Sequence, residues 1–163
     1  MNDVKRTLAS FFDKDQVVEI RAIDVSRVGY KQPHVEAGYF DAEHRDELVQ
    51  ATAELEGMAK GIYVVMNRFD TALLSRAANR IATRIPTTAD SDIHGRRWML
   101  FDIDAGNPAG TSSSEYEHQA AIEMGMDIRK ELLGLGWSDV AVADSGNGAH
   151  VYVPIDLPTD DRG

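Results

Sequence analysis

The sequence predicts an α+β fold: a single domain in two parts, with a strand-helix unit over residues 1–95 and a β-α-β-β unit over residues 96–163. A length of 163 residues with 43% apolar content suits one compact domain. Short β-branched runs alternate with segments of helical periodicity, which is the pattern of mixed α and β structure. The last two runs flank a glycine-rich turn, as in a β-hairpin.

The first part begins with residues 1–14, which predict a short helix or an arm. Residues 16–23 are rich in β-branched side chains and predict a strand. Residues 25–37 contain Gly29, Pro33 and scattered polar residues, and therefore predict a connection.

A helix is predicted next, because Leu48, Ala51 and Leu55 recur at helical spacing. Asp41 is its expected N-cap and Gly57 its stop signal.

The remainder of the first part predicts a strand over residues 61–66 and a helix over residues 71–81. On that helix Arg76 and Arg80, with Arg84 beyond them, would lie on one side at four-residue intervals. Residues 82–95 are polar and predict irregular structure.

The second part predicts a strand, a helix and a hairpin. The helix is expected to start at a capping box formed by Ser112 with Glu115 or by Ser114 with Glu117. The predicted bounds are strand 97–104, loop 106–114, helix 115–133, strand 139–143, turn 144–148 and strand 149–155.

Two aspartates stand out at the end of the strand over residues 97–104. Because side chains alternate along a strand, Asp102 and Asp104 share one face, while Phe101 and Ile103 point to the other. Two carboxylates on one face repel each other unless they are solvated or share a cation, and hard divalent ions prefer such oxygen ligands. The apolar run before them is typical of a central strand, so we expect the pair to lie in a crevice.

The turn over residues 144–148 is the second chemical feature. Glycine turns can present backbone amides to phosphate, and the adjacent His150 can donate to a phosphate oxygen. The alternative is a plain hairpin turn, in which Gly146 and Gly148 supply positive φ and His150 faces solvent. Asn67 is either a turn residue or a polar contact near the crevice.

The composition and charge of the chain limit the classes of function it can have. The net charge of −10 argues against a general polyanion binder, yet residues 66–97 carry a net charge of +3 and the rest of the chain −13. The sequence has no cysteine, which excludes disulfides and thiolate zinc sites. With no membrane-spanning run and no signal peptide among the first residues, we expect a cytoplasmic protein.

Five segments, in order, resemble the catalytic domain of primase-polymerases of the archaeo-eukaryotic primase superfamily, over roughly residues 17–158. The segments are Tyr63-Val64-Val65-Met66-Asn67, Leu73 to Arg80, Asp90-Ser91-Asp92-Ile93 with Arg96-Arg97-Trp98, Phe101-Asp102-Ile103-Asp104, and Asp144 to His150. The resemblance implies a two-part domain whose second part is an RRM-like palm.

The resemblance also implies roles for individual residues. Asp102 and Asp104 match the strand that holds Mg²⁺ or Mn²⁺, and Gly148-Ala149-His150 matches the small-X-His motif that contacts the phosphates of the incoming nucleotide. Further expected nucleotide contacts are Ser145, Gly146, Asn147 and Arg97. Expected template contacts are Arg76, Arg80, Arg96 and Asn67.

One departure from the family pattern concerns a third acidic residue on a later strand. The sequence stops before any strand that could supply it, so we expect an incomplete palm and an N-terminal fragment of a longer protein, in which a helicase module can follow.

The function expected from this resemblance is DNA primase and polymerase activity by a two-metal mechanism, in replication of a plasmid, phage or mobile element. Its partners would be single-stranded or primed DNA and NTP or dNTP. Two alternatives stay open: a non-catalytic replication-origin or nucleic-acid-binding module, and a metal-dependent phosphoesterase or nuclease.

Overall fold

The computed structural model describes residues 2–106 and 112–159. The fold is α+β, with two antiparallel sheets and a few helices. The chain divides into two compact units, Met1–Gly95 and Arg96–Pro158.

Among its described residues, the first unit has two α-helices, five strands and three short 3-10 helices. Their bounds are α1 Asn2–Phe11, β1 Val18–Val25, β2 His34–Phe40, α2 Arg45–Leu55, β3 Gly61–Val64, β4 Arg68–Phe69 and β5 Ile81–Thr83, with 3-10 helices at Ala42–His44, Thr71–Arg76 and Asp90–Asp92. β6, Ile93–Asp104, starts in this unit and continues into the second. The second unit adds α3 Glu115–Gly134, β7 Ala141–Asp144 and β8 Gly148–Leu157.

The sheet of the first unit has the strand order β3-β1-β2-β5, and all of its pairs are antiparallel. Ile20 and Phe40 on one face pack against Leu48 and Leu55 of α2 in the main apolar core. Tyr39 belongs to a second cluster, together with residues of the segment that follows β3. Both faces of this sheet are therefore covered by apolar packing.

The second sheet has the strand order β4-β6-β8-β7, and all of its pairs are antiparallel. β4 pairs with the first residues of β6, and the second unit contributes the rest of β6 with β8 and β7. Val151 and Val153 are fully buried against Ile128 and Leu132 of α3. Gly125 allows this approach, because a Cβ at that position would lie 3.2 Å from the Cβ of Ala149. The buried face of the sheet is thus the face of the valines.

Local sequence signals are confirmed in the second unit. The β-α-β-β order is observed, the hairpin joins β7 to β8, and the capping box is the one formed by Ser114 and Glu117. The predicted loop over residues 106–114 lies in part outside the described residues, as do positions 160–163 of the C-terminal segment.

The predicted connection over residues 25–37 is wrong at its C-terminal end, because β2 begins at His34 and pairs with β1. Glu36 is one of the scattered polar residues from which a connection is predicted. Its carboxylate is instead buried, with Arg27 donating from Nε at 2.6 Å and from Nη2 at 2.8 Å. The predicted helix start is also too early, since α2 starts at Arg45 after the turn that Asp41 caps.

The predicted helix over residues 71–81 is also wrong. A short 3-10 helix ends at Arg76, and Asn79 then adopts a positive φ of 53° that an α-helix does not contain. Tertiary hydrogen bonds hold this turn, because the Asn79 amide group bonds to the backbone N–H and the carboxylate of Asp41. Arg76 and Arg80 therefore do not share a helical face.

The expected central position of the aspartate strand holds only for its start, where β6 lies between β4 and β8. Between Arg96 and Asp104, β6 pairs with β8 alone within the part of the chain that the structure describes. Asp102 and Asp104 accordingly lie where β6 has β8 as its one strand partner among the described residues. No helix within residues 2–106 and 112–159 has the length and apolar character to span a bilayer.

Candidate functional site

Asp102 and Asp104 project from the same face of β6, as strand alternation predicts. This face is opposite to the one on which Ile103 packs with the α3 cluster. The Asp102 side chain is 59% exposed, and Asp104 is exposed as well. Both carboxylates are thus solvated and can accept a ligand without a large desolvation cost.

His150 lies directly across from Asp102 in the antiparallel register of β6 and β8. Its Nε2 is 3.2 Å from Oδ1 of Asp102, and its Nδ1 is 3.2 Å from the hydroxyl of Tyr152. On its other side His150 faces Ala143 of β7. The structure therefore brings the acidic pair and the histidine together on one sheet face.

The turn that leads into His150 has most of its amides engaged internally. The Gly146 N–H donates to Asp144 at 2.7 Å, the Gly148 N–H donates to the Ser145 hydroxyl at 3.0 Å, and the Ser145 N–H donates to the Gly148 carbonyl at 3.1 Å. In this conformation those three amides are not available to a phosphate, contrary to the expected cradle. The Asn147 side chain accepts from the Ser113 N–H, which ties the turn to the segment before α3.

The two glycines of this turn are required by the conformation and packing of the backbone. Gly146 adopts a φ of +86°, which L side chains rarely adopt. A Cβ at Gly148 would lie 2.1 Å from the carbonyl oxygen of Ile103, so only glycine allows β6 and β8 to approach this closely. The small residue two positions before His150 is therefore required by strand packing.

The contact between His118 and Asp144 is not predicted by the sequence. His118 lies on the first turns of α3, and its Nε2 is 2.9 Å from Oδ1 of Asp144. The Gly146 amide and His118 both lower the pKa of Asp144, with the amide as the larger cause. Since the two residues are 26 positions apart, no local spacing could reveal the pair.

Arg76 has a structural role in the first unit. Its Nη1 donates to the Thr87 carbonyl at 3.1 Å and contacts Asp92 at 3.3 Å. Arg80 is exposed and lines an open cavity of about 840 Å³ that also contains Glu47 and Glu54. Such mixed charge is poorly suited to a phosphate backbone. Asn67 lies in the bend between β3 and β4.

Arg96 and Arg97 lie on β6 in the second unit, the same strand as the acidic pair. The Arg97 guanidinium is 5.9 Å from the ring centroid of Trp98, within the range of a cation–π contact. Both share a unit with Asp102 and His150. By strand alternation Arg96 lies on the face of Asp102, whereas Arg97 lies on the opposite face.

The donor set fits a divalent cation of the Mg²⁺ type. Such an ion keeps several waters and is often held by one or two carboxylates together with substrate phosphates, and Asp102 and Asp104 supply two hard oxygen donors on one exposed face. Among the described residues, no cluster of three or more His, Asp or Glu side chains has the geometry of a metal site. At this place the two aspartates are the residues that could hold such an ion.

No protein-family profile, curated protein or solved structure matches the chain.

Proposed function

We propose that this chain carries the metal-binding and nucleotide-binding face of a primase-polymerase, and that it transfers nucleotides to a primer or an initiating nucleotide. The observation that supports this most strongly is the placement of Asp102, Asp104 and His150 on one open sheet face. A nucleoside triphosphate binds together with divalent cations, so its site needs oxygen ligands for the cation and a donor for the phosphates. Two carboxylates beside an imidazole would supply both.

The two aspartates would hold the cation against the strand. A bound Mg²⁺ or Mn²⁺ ion supplies Lewis acidity to phosphoryl transfer, lowering the pKa of an attacking hydroxyl and neutralising charge on the phosphates. The exposed position of both carboxylates leaves room for water and for a triphosphate in the remaining coordination positions.

His150 would bind the triphosphate. Its Nε2 already faces an anionic acceptor, the Asp102 carboxylate, so the same N–H is suited to a phosphate oxygen. Because three amides of the preceding turn are engaged, we assign phosphate binding to the His150 side chain and to the Nδ2 group of Asn147. This differs from the backbone cradle that the sequence predicts. Arg97 is not assigned to phosphate binding, because strand alternation directs Arg97 to the opposite face of β6 from Asp102.

The proposed nucleic-acid partner is single-stranded or primed DNA. Contacts to its backbone would come from Arg96, and they would weaken as salt increases. Arg76 is a poor candidate, because its guanidinium already holds Thr87 and Asp92. With a net charge of −10 overall, template binding by this chain is expected to be weak and confined to the arginine-bearing surface.

A single incubation tests the proposal. The full chain is mixed with a labelled primer on a template, the four dNTPs or NTPs and Mn²⁺, and the primer is analysed on a sequencing gel. We expect lengthening by the wild type, no lengthening by Asp102→Ala, and full lengthening by Asp127→Ala, which removes an exposed carboxylate of α3.

The other outcomes identify the alternatives. Primer shortening that depends on Asp102 would replace the proposal with a metal-dependent nuclease. An unchanged primer that is nevertheless bound, equally with and without Mn²⁺, would indicate a non-catalytic nucleic-acid-binding module. Undiminished extension by Asp102→Ala would reject the metal role of the aspartate.

A further inference from the structure

We propose that Tyr152 is a positioning residue that holds the His150 imidazole in the tautomer with its proton on Nε2. The consequence for catalysis rests on the proposed function, because it concerns the donor that a triphosphate would meet. The inference about the tautomer depends only on the contacts of His150 itself.

Both ring nitrogens of His150 have a partner, and the two partners differ in kind. A carboxylate can only accept, so Oδ1 of Asp102, 3.2 Å from Nε2, requires a proton on Nε2. In a neutral ring Nδ1 then carries a lone pair, and the Tyr152 hydroxyl, 3.2 Å away, is able to donate to it. The opposite tautomer would direct a lone pair at a carboxylate, which is repulsive.

Tyr152 is well placed to supply this hydrogen bond. It lies on β8, between β6 and β7, and its ring meets the ring of Trp98 edge to face, with centroids 6.5 Å apart and an angle of 88°. The rings of His150 and Tyr152 are also perpendicular, with centroids 5.8 Å apart. Burial, with a smaller contribution from the Asp102 charge, raises the pKa of the Tyr152 phenol, so the hydroxyl stays protonated at neutral pH.

The tautomer matters for ligand binding. A phosphate oxygen is an acceptor and can bond to Nε2 only when that nitrogen carries the proton. Without Tyr152 the proton would be shared between the two ring nitrogens whenever Asp102 is engaged elsewhere. Tyr152 thereby keeps a donor on the side of the ring that faces the two aspartates.

The test is the ¹⁵N NMR spectrum of the full chain, labelled in its histidine rings and recorded near pH 8.5, about two units above the ordinary histidine pKa. The His150 signals are assigned by their loss in His150→Asn. In the wild type we expect a pyridine-like Nδ1 and a pyrrole-like Nε2. Because Asp102 also fixes this tautomer, the role of Tyr152 is tested in the Asp102→Ala background, where the same pattern should persist. Adding Tyr152→Phe in that background should move the two shifts toward each other as the tautomers mix.

The matched control is Tyr116→Phe, which removes an exposed hydroxyl from α3 and should leave the His150 signals unchanged. A protonated Nδ1 in the wild type would overturn the proposal, and this result does not depend on any variant folding. Identical His150 shifts in Asp102→Ala with and without Tyr152→Phe would overturn it as well.

A kinetic readout connects the tautomer to the proposed function. In Tyr152→Phe we expect the KM for the nucleoside triphosphate to rise about two- to tenfold, the effect of one weakened hydrogen bond, with a smaller change in kcat. Because the NMR measurement needs no substrate, a chain that fails to extend a primer would count against the proposed function alone. The role of Tyr152 would still be decided by the spectra.

Discussion

The two units treat charged side chains in opposite ways. In the first unit Glu19 and Glu36 are buried, with side chains 0% and 2% exposed, and each is held by an arginine. In the second unit the Asp102 side chain is 59% exposed and Asp104 is also at the surface. These carboxylates of the first unit are therefore buried and paired with arginine, whereas those of the second unit are exposed to solvent.

Breaking a buried pair in the first unit should give the largest change in stability. Glu36→Ala removes the acceptor of two Arg27 hydrogen bonds and of the His34 Nε2 contact. We expect a loss of about 2–4 kcal/mol in the free energy of unfolding, near the lower end of the range for buried pairs because Arg27 is partly exposed. Urea denaturation followed by circular dichroism measures this loss.

The counterpart in the second unit is Asp104→Ala. It removes a surface carboxylate that makes no hydrogen bond or ion pair within residues 2–106 and 112–159, so the free energy of unfolding should change by less than about 0.5 kcal/mol. Equal destabilisation by the two variants would remove the contrast between the units.

A second prediction concerns the strand approach that supports the open face. Gly148→Ala places a methyl group against the Ile103 carbonyl, and separating β6 from β8 should cost about 1–3 kcal/mol. Gly134→Ala is the control, because a Cβ there meets nothing within 4 Å. The control should be neutral or slightly stabilising. A neutral Gly148→Ala in the same thermal unfolding assay would show that the close approach is not needed.

A smaller effect is expected in the pH dependence of the β7–β8 turn. The Gly146 amide and His118 lower the pKa of Asp144, so the stability it contributes is present above the ordinary carboxyl pKa, about 3.9, and is lost as the pH falls through the lowered value. Carboxyl ¹³C NMR should give a midpoint below 3.9 for Asp144. In His118→Ala the midpoint should rise but stay below the ordinary value, because the amide remains.

A midpoint at or above the ordinary value in the wild type would contradict this assignment. A midpoint unaffected by His118→Ala would contradict the contact between the two side chains.

The two units also differ in how much of their structure the sequence predicts. In the second unit the strand alternation at Asp102 and Asp104, the capping box at Ser114 and the hairpin are local patterns, and the structure follows them. Residues within one strand or one helical turn determine each of these features. The relevant information was therefore contained in a short window of sequence.

In the first unit the missed elements depend on distant partners. β2 contains Glu36, whose burial requires Arg27, and Gly38, where a Cβ would lie 2.3 Å from the Arg80 carbonyl oxygen. The predicted helix over residues 71–81 fails because Asn79 bonds to Asp41, 38 positions away. Periodicity alone could not reveal such contacts.

The candidate site was predicted in part. Asp102, Asp104 and His150 were identified from motif and alternation, but the Tyr152 contact was not, because its significance depends on the side-chain geometry of His150. A backbone cradle for phosphate was expected from the glycines of the β7–β8 turn. Gly146 is instead needed for the turn conformation, and Gly148 for the close approach of β6 and β8.

The most direct test of the open acidic face is a Mn²⁺ titration of the full chain, monitored by the electron paramagnetic resonance signal of the free ion. The wild type and Asp127→Asn should bind Mn²⁺ alike, while a double variant with Asp102→Asn and Asp104→Asn should bind at least about tenfold more weakly, since both anionic ligands are lost. Equal Mn²⁺ affinity in all three proteins would contradict the assignment of these aspartates as metal ligands.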